Sequence, residues 1–152
     1  MNFLETEITD FDFLLSLIPQ KKPFVMVDTL RFYTDKKIIS GFTISAENIL
    51  AKNGSFSEPG LIENMAQTIA LHTGYKYFLA KKPAPTGYIG AIKKAEVFEL
   101  PRVSKELTTT VEIIHDIMGV TLIEAKVECE GQLIAQSEMK TALAKQDEET
   151  TL

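Results

Sequence analysis

PGLIENMAQTIALHTGYKYFL, residues 59–79, is the stretch that decides the fold. Pro59 and Gly60 punctuate its start, and after them neither a proline nor a β-branched run interrupts it. Its apolar residues occupy most faces of a helix drawn from Leu61 to about Leu79, and a helix apolar on most sides belongs inside a protein rather than on its surface. Lys81, Lys82 and the Pro83-Ala84-Pro85 turn close it.

Working outward, the polar segment 46–60, AENILAKNGSFSEPG, reads as a loop. Before it, FVMVDTLRFY (24–33) and KKIISGFTIS (36–45) are rich in β-branched and aromatic residues and form a hairpin joined near Thr34 to Lys36. Thr9 and Asp10 can cap a short peripheral helix carrying Phe11, Phe13, Leu14, Leu17 and Ile18, which Pro19 closes. After the long helix nearly everything is strand. TGYIGAIKKAEVF (86–98) has a mixed pattern, whereas 106–116, 119–130 and 132–144 alternate. Thr121, Ile123, Ala125, Val127 and Cys129 face one way, and Glu124, Lys126, Glu128 and Glu130 the other. Gly119 and the Glu130-Gly131 pair supply tight turns, and His115 is placed on the strand face of Val111 and Ile113. A buried helix after a hairpin, followed by a four-stranded antiparallel meander, requires the sheet to wrap the helix, which gives an α+β roll. Residues 1–145 form one domain, and 146–152 read as a frayed tail with nothing to bury.

The bulk properties agree. The chain has 152 residues, 45% apolar and 24% charged, which fits one globular domain. A formal charge of −5 argues against a broad nucleic-acid footprint. The single cysteine, Cys129, excludes an intramolecular disulfide and a cysteine zinc cluster and favours a reducing cytoplasm. Glu5, Glu7, Asp10 and Asp12 interrupt the N-terminal region, unlike a signal peptide. No apolar run reaches the length of a membrane span. No metal or other cofactor is expected.

Three segments resemble the hotdog-fold 3-hydroxyacyl-[acyl-carrier-protein] dehydratases. LIPQKKPFVMVDTL (17–30) is similar to the family's Leu-Pro-His-x-x-Pro-Phe stretch running into a strand. PGLIENMAQTIA (59–70) is similar to its Pro-Gly turn and central helix. YIGAIKKAEVFELP (88–101) is similar to the strand after the helix. Within that superfamily ENMAQTIALHTGY (63–75) looks closest to the dehydratase-like proteins of aryl-polyene pigment clusters. The resemblance implies a hotdog fold, acyl thioester substrates on an acyl carrier protein or coenzyme A, and a homodimer or a heterodimer with another hotdog protein. It also implies an active site that takes its histidine and its acid from different subunits. This chain departs from the family in two places. Gln20 stands where the first motif has histidine, and NGSFSEPG (53–60) replaces the histidine-bearing Gly-His-Phe-Pro-Gly loop.

Eliminating water from a 3-hydroxyacyl thioester requires removal of an α-proton, stabilisation of the thioester oxyanion and protonation of the departing hydroxyl. Backbone N–H groups at Gly60, Leu61 and Ile62, at the start of the helix, are candidates for the oxyanion. Glu63 is the candidate proton donor, with Gln67 one turn on to orient it. Gln67, Ala70 and Gly74 share its stripe, where small residues leave room for an acyl chain. A glutamate in a helix's first turn also has a simpler reading, as a partner of the helix dipole. Glu58 is either a second carboxylate or a solvated loop residue. His72, about 180° around the helix from Glu63, is assigned to packing or a dimer contact. Cys129 is assigned to the core and Asp28 to a turn. Lys93, Lys94 and Arg102, with their basic neighbours, form a solvated face or a docking surface for an acidic carrier protein. Three functions follow: a dehydratase, a non-catalytic hotdog subunit that completes a histidine-bearing partner's site, or a hotdog thioesterase.

Overall fold

The computed structural model describes residues 2–144, so the expected tail at 146–152 lies outside the described residues. Asp10 caps α1 (Phe11–Leu17), its carboxylate accepting from Phe13 N at 3.2 Å, and Leu14 and Leu17 are buried. β1 (Thr29–Thr34) and β2 (Lys37–Thr43) form the expected hairpin. The polar segment that follows is not all loop. β3 (Ala51–Lys52) and β4 (Ser55–Phe56) pair across Asn53 and Gly54, whose φ values of 55° and 78° suit a two-residue hairpin turn. Arg102 lies over Gly54, Phe56 N donates to Pro101 O at 2.8 Å, and Val103 N donates to Gly54 O at 3.0 Å. This small hairpin is therefore tied to the body of the protein.

α2 runs Glu58–Leu79, beginning three residues before the expected Leu61. Ser57 is its N-cap, with Oγ accepting from Gly60 N at 3.3 Å, and Pro59 fits the first turn because its missing N–H would have no helical partner there. Buried residues on several faces, including Leu61, Met65, Ile69 and Leu71, confirm a helix that belongs inside. At Gly74 a Cβ would collide with the Leu17 carbonyl, so the end of α1 rests on α2 backbone to backbone.

β5 (Gly87–Val97), β6 (Glu106–Ile117), β7 (Val120–Cys129) and β8 (Gln132–Leu143) complete one antiparallel sheet in the order β1-β2-β6-β7-β8-β5. The expected four-stranded meander is corrected to three strands. β5 does not pair with β6 but lies beyond β8, at the opposite edge from β1. Ile123, Ala125 and Val127 are fully buried on the helix side of β7, as the alternation required. In β6, a register shift between Ile113 and His115 pairs Ile113 with Ile123 but His115 with Leu122. The extra residue turns His115 to the face opposite Ile113 and corrects its expected placement.

The two edges of the sheet differ. The N-terminal segment covers β1, with Phe3 N donating to Tyr33 O and Ile8 exchanging backbone bonds with Leu30 at 2.8 and 2.9 Å. No strand among the described residues covers the outer edge of β5, which exposes Tyr88, Ile89 and Ile92.

Candidate active site

Glu63 is the sixth residue of α2, beyond the turn in which the helix dipole acts; that position belongs to Glu58, now an exposed first-turn helical residue rather than a loop residue. The dipole explanation therefore applies to Glu58 and not to Glu63. The Glu63 carboxylate is held by Gln67, whose Nε2 donates to Glu63 Oε2 at 2.9 Å. Gln67 is fully buried and has no freedom to turn. Its Nε2 also donates to Phe24 O at 2.8 Å, and its Oε1 accepts from Met26 N at 2.6 Å. The motif segment before β1 thus fixes the amide, and the amide fixes one oxygen of Glu63. Among the described residues Glu63 has no second side-chain partner.

One turn further along α2 a cavity of about 300 Å³ opens, whose lining starts at Ala66 and includes neither Glu63 nor Gln67. Ala66, Ala70 and Gly74 from α2, Leu17 to Gln20, the start of β5 and Thr141 of β8 line it. Of the stripe expected to be small, Ala70 lines this space, Ala66 joins it, and Gln67 does not reach it. Gly74 only borders it, since the room made by its missing side chain is taken by Leu17.

The oxyanion donors differ from expectation because the helix starts earlier. Leu61 N donates to Ser57 O at 3.1 Å, and Ile62 N lies within the helical ladder, so both are occupied. Gly60 N donates to the Ser57 hydroxyl at 3.3 Å, a long bond to a side chain. The open side of Gly60 is filled by the Phe56 ring, which a Cβ would meet at 2.6 Å.

The remaining candidates separate clearly. His72 is buried, its Nε2 is 2.9 Å from Thr34 O, and its ring packs on Tyr33 with centroids 5.0 Å apart. Burial pushes its pKa below the usual value, although the Thr34 carbonyl opposes this. It is a packing histidine. Burial also raises the thiol pKa of Cys129, with Glu130 adding to the effect, so the group is a poor nucleophile. Asp28 accepts from Thr43 N at 2.8 Å and Thr29 Oγ1 at 2.9 Å, a turn role. Lys93 and Lys94 lie on exposed β5, where Lys94 is 3.4 Å from Glu138, and exposed Arg102 covers the β3–β4 turn. Among the described residues no cluster suited to a metal occurs, and no helix is long and apolar enough to cross a membrane.

Sequence reasoning missed one feature of the site. Asn64, next to Glu63, donates to Met26 O at 2.8 Å and accepts from Thr109 Oγ1 at 2.5 Å. With Gln67 it holds both the N–H and the C=O of Met26. Only its place in the motif wording marked it.

The same architecture occurs in solved structures. The dehydratase heterocomplex ApeI:P from Xenorhabdus doucetiae aligns with a TM-score of 0.80 at 16% identity, covering 88% of this chain and 91% of that one. The PaaI protein of the E. coli phenylacetic acid degradation operon aligns at 0.61 and 11% identity, covering 74% and 80%. Both likenesses establish the hotdog fold. In sequence, the chain is similar to two 3-hydroxyacyl-[acyl-carrier-protein] dehydratases, both FabZ. That of Aliivibrio fischeri is 29% identical over 133 residues, covering 83% of this chain and 87% of the relative. That of Vibrio cholerae is 26% identical over 133 residues, covering 84% and 86%. A family model described as ApeP dehydratase matches residues 14–152, which takes in the Phe24–Met26 clamp, Glu63 and Gln67 and every strand of the sheet. By that match, which spans the helix and the whole described sheet, the chain belongs to the ApeP-like dehydratase family.

Proposed function

We propose that this chain supplies the acid half of a site that removes water from 3-hydroxyacyl chains held as thioesters, delivered by an acyl carrier protein or by coenzyme A. The observation that carries this reading is Glu63, one oxygen fixed by buried Gln67, on the helix whose next turn, from Ala66, lines a cavity of about 300 Å³. A base takes a proton from C2, that C–H electron pair forms the C2–C3 double bond, and the C3–O bond breaks. The hydroxyl takes a proton from Glu63 and leaves as water. Gln67 acts as a positioning residue, keeping one oxygen of Glu63 occupied so that the other meets the hydroxyl. Gly60 N–H serves the thioester oxygen only if it exchanges from Ser57 and the Phe56 ring gives way.

The base comes from a second hotdog subunit. The β3–β4 hairpin holds no histidine, His72 is engaged with Thr34, and His115 lies on the opposite face of β6 from Ile113. The uncovered edge of β5, with Tyr88, Ile89 and Ile92 exposed, suits edge-to-edge pairing with such a subunit. The FabZ relatives support the reaction, and the heterocomplex of Xenorhabdus doucetiae supports assembly with a different hotdog chain. Lys93, Lys94 and Arg102 are the proposed docking residues for an acidic carrier protein.

The test assays elimination with this chain alone, a histidine-bearing hotdog partner alone and the mixture, and then repeats it with Glu63→Gln. The mixture is expected to exceed the sum of its parts, and the substitution to remove the excess. Full activity of the isolated chain would overturn the shared site and make Glu58 the first residue to change.

A further inference from the structure

Resting on that reading, we infer that Thr109, a buried residue of β6, is a positioning residue for the elimination: through Asn64 and Met26 its hydroxyl sets which end of the Gln67 amide meets Glu63. The connection runs through a chain of hydrogen bonds. Thr109 Oγ1 donates to Asn64 Oδ1 at 2.5 Å, and Asn64 Nδ2 donates to Met26 O at 2.8 Å. Met26 N donates to Gln67 Oε1 at 2.6 Å, and Gln67 Nε2 donates to Glu63 Oε2 at 2.9 Å. Every link joins a donor to an acceptor, so the orientation of one amide constrains that of the next.

An amide side chain can turn end for end, and its two ends have opposite roles: the oxygen accepts and the nitrogen donates. A reversed Gln67 would set its oxygen against the Glu63 carboxyl and take the acid proton for itself, instead of leaving that proton on the far oxygen for the departing hydroxyl. Met26 N prevents this, because it requires an acceptor. Asn64 holds the C=O of the same residue, three positions before Gln67 on α2, so two neighbouring amides of one helix face grip Met26. Asn64 has the same choice of orientation. The Met26 carbonyl takes its nitrogen, and Thr109 supplies its oxygen with a donor. Met26, Asn64, Gln67 and Thr109 are all fully buried, so bulk water does not make good a lost partner. Without the Thr109 hydroxyl, the Asn64 oxygen becomes a buried acceptor with no donor. The amide relieves that cost only by moving, and Met26 and Gln67 move with it.

The sheet places Thr109 for this task. It pairs across the strands with Ser40 of β2, and both side chains meet α2. Ser40 Oγ lies 2.7 Å from Thr68 Oγ1, which donates to Asn64 O at 2.7 Å. Two neighbouring sheet residues thus hold Asn64, one by its side chain and one, through Thr68, by its main chain. On the other side Thr109 pairs with Val127, whose side chain offers no donor to take its place. Valine at position 109 keeps the shape of threonine and lacks only the hydroxyl, which makes the role testable with little change in packing.

The experiment has two arms, both on the chain with its histidine-bearing partner. In the first, kcat and KM for a 3-hydroxyacyl thioester are measured for Thr109→Val, Thr109→Ser, Gln67→Leu, and Thr109→Val combined with Gln67→Leu. For valine kcat is expected to fall about tenfold, less than the roughly hundredfold that a 1 Å misplacement can cost, with KM changed by less than about twofold. Serine, which keeps the hydroxyl, is expected to restore kcat. In the Gln67→Leu background valine should lower kcat by no more than about twofold, because its path to Glu63 is already cut. Full kcat in a valine variant that unfolds at the parent temperature overturns the inference. An equal loss in both backgrounds also overturns it, since that marks a general loosening of the fold. In the second arm, the Gln67 side-chain amide is followed by NMR in protein isotope-labelled at glutamine. Its protons are expected to shift and to exchange faster with water in Thr109→Val, or in Thr109→Ala where valine does not fold, and to stay as in the parent in Thr109→Ser. Signals unchanged by loss of the hydroxyl overturn the inference. If elimination does not depend on Glu63, the proposed function falls instead, and the amide signals still decide whether Thr109 orients Gln67.

Discussion

Two faces of α2 treat their polar groups in opposite ways. On the face turned to the sheet, Asn64 bridges Met26 O and Thr109, Thr68 Oγ1 donates to Asn64 O at 2.7 Å, and Ser40 Oγ lies 2.7 Å from the Thr68 hydroxyl. All four of these polar residues are fully buried, and their side chains bond one another or the backbone. On the stripe that leads to the cavity, Glu63 has one oxygen fixed by Gln67, and Ala66 and Ala70 follow it along the helix. A closed polar network contributes to stability, and removing any member leaves another without its partner. A half-buried carboxylate with one oxygen bonded contributes little to folding but keeps the other oxygen available to a ligand. The comparison teaches where along one helix to look for chemistry and where to look for structure.

It can be broken in graded steps. The largest effect is expected from Glu63→Gln, which should lower elimination by the mixed subunits at least about a hundredfold, the scale of losing a positioned general acid. Thermal unfolding of the variant should stay close to that of the parent; a large loss of stability would mean that the cavity face is structural after all. Asn64→Leu should reverse the balance. It strands the Met26 carbonyl and the Thr109 hydroxyl, and urea unfolding should show a loss of about 3 kcal/mol. An unchanged midpoint would show that the network on the sheet face carries no stability.

His72 sharpens the comparison more gently. Its pKa is lowered in the folded chain, chiefly by burial, so the unfolded chain binds its proton more readily. Its contribution is complete above the unfolded value of 6.5 and is lost as pH falls from there through the lower folded value. Urea midpoints followed downward from neutral pH should decline, and the decline should shrink in His72→Gln. Turnover by a stable His72 variant should equal that of the parent. The smallest effect belongs to His115→Ala, exposed on its strand, which should leave turnover unchanged and stability within about 0.5 kcal/mol.

What the sequence disclosed depends on range. The buried helix, the first hairpin and the alternating strands follow from local periodicity, and the Asp10 cap from residue type. Three features were local too but were misread. Ser57-Glu58-Pro59 is a helix start, with a cap and an early proline, and taking it as loop shifted the helix by a turn and misplaced the oxyanion donors. Asn53-Gly54 is a strong hairpin signal that the surrounding polar residues hid. The bulge before His115 adds one residue that alternation alone does not reveal. Other features are written in no single segment. Gln67 meets Phe24 and Met26 across separations of 43 and 41 residues, and β5 finds β8 rather than its neighbour in sequence. Glu63 and Gln67 stood out through motif wording, but the clamp that makes them a pair is tertiary.

The bare edge of β5 matters for the life of the chain in a cell. Eleven residues of strand with unpaired backbone groups and exposed Tyr88, Ile89 and Ile92 invite any extended segment to add on. The register shifts at Ile89/Ala91 and Lys93/Glu96 and the lysines between them roughen the edge but leave it open. A chain made in excess of whatever covers that edge is exposed to aggregation and to proteases. Its abundance then follows the supply of whatever covers that edge, and overproducing this chain alone should enrich the insoluble fraction.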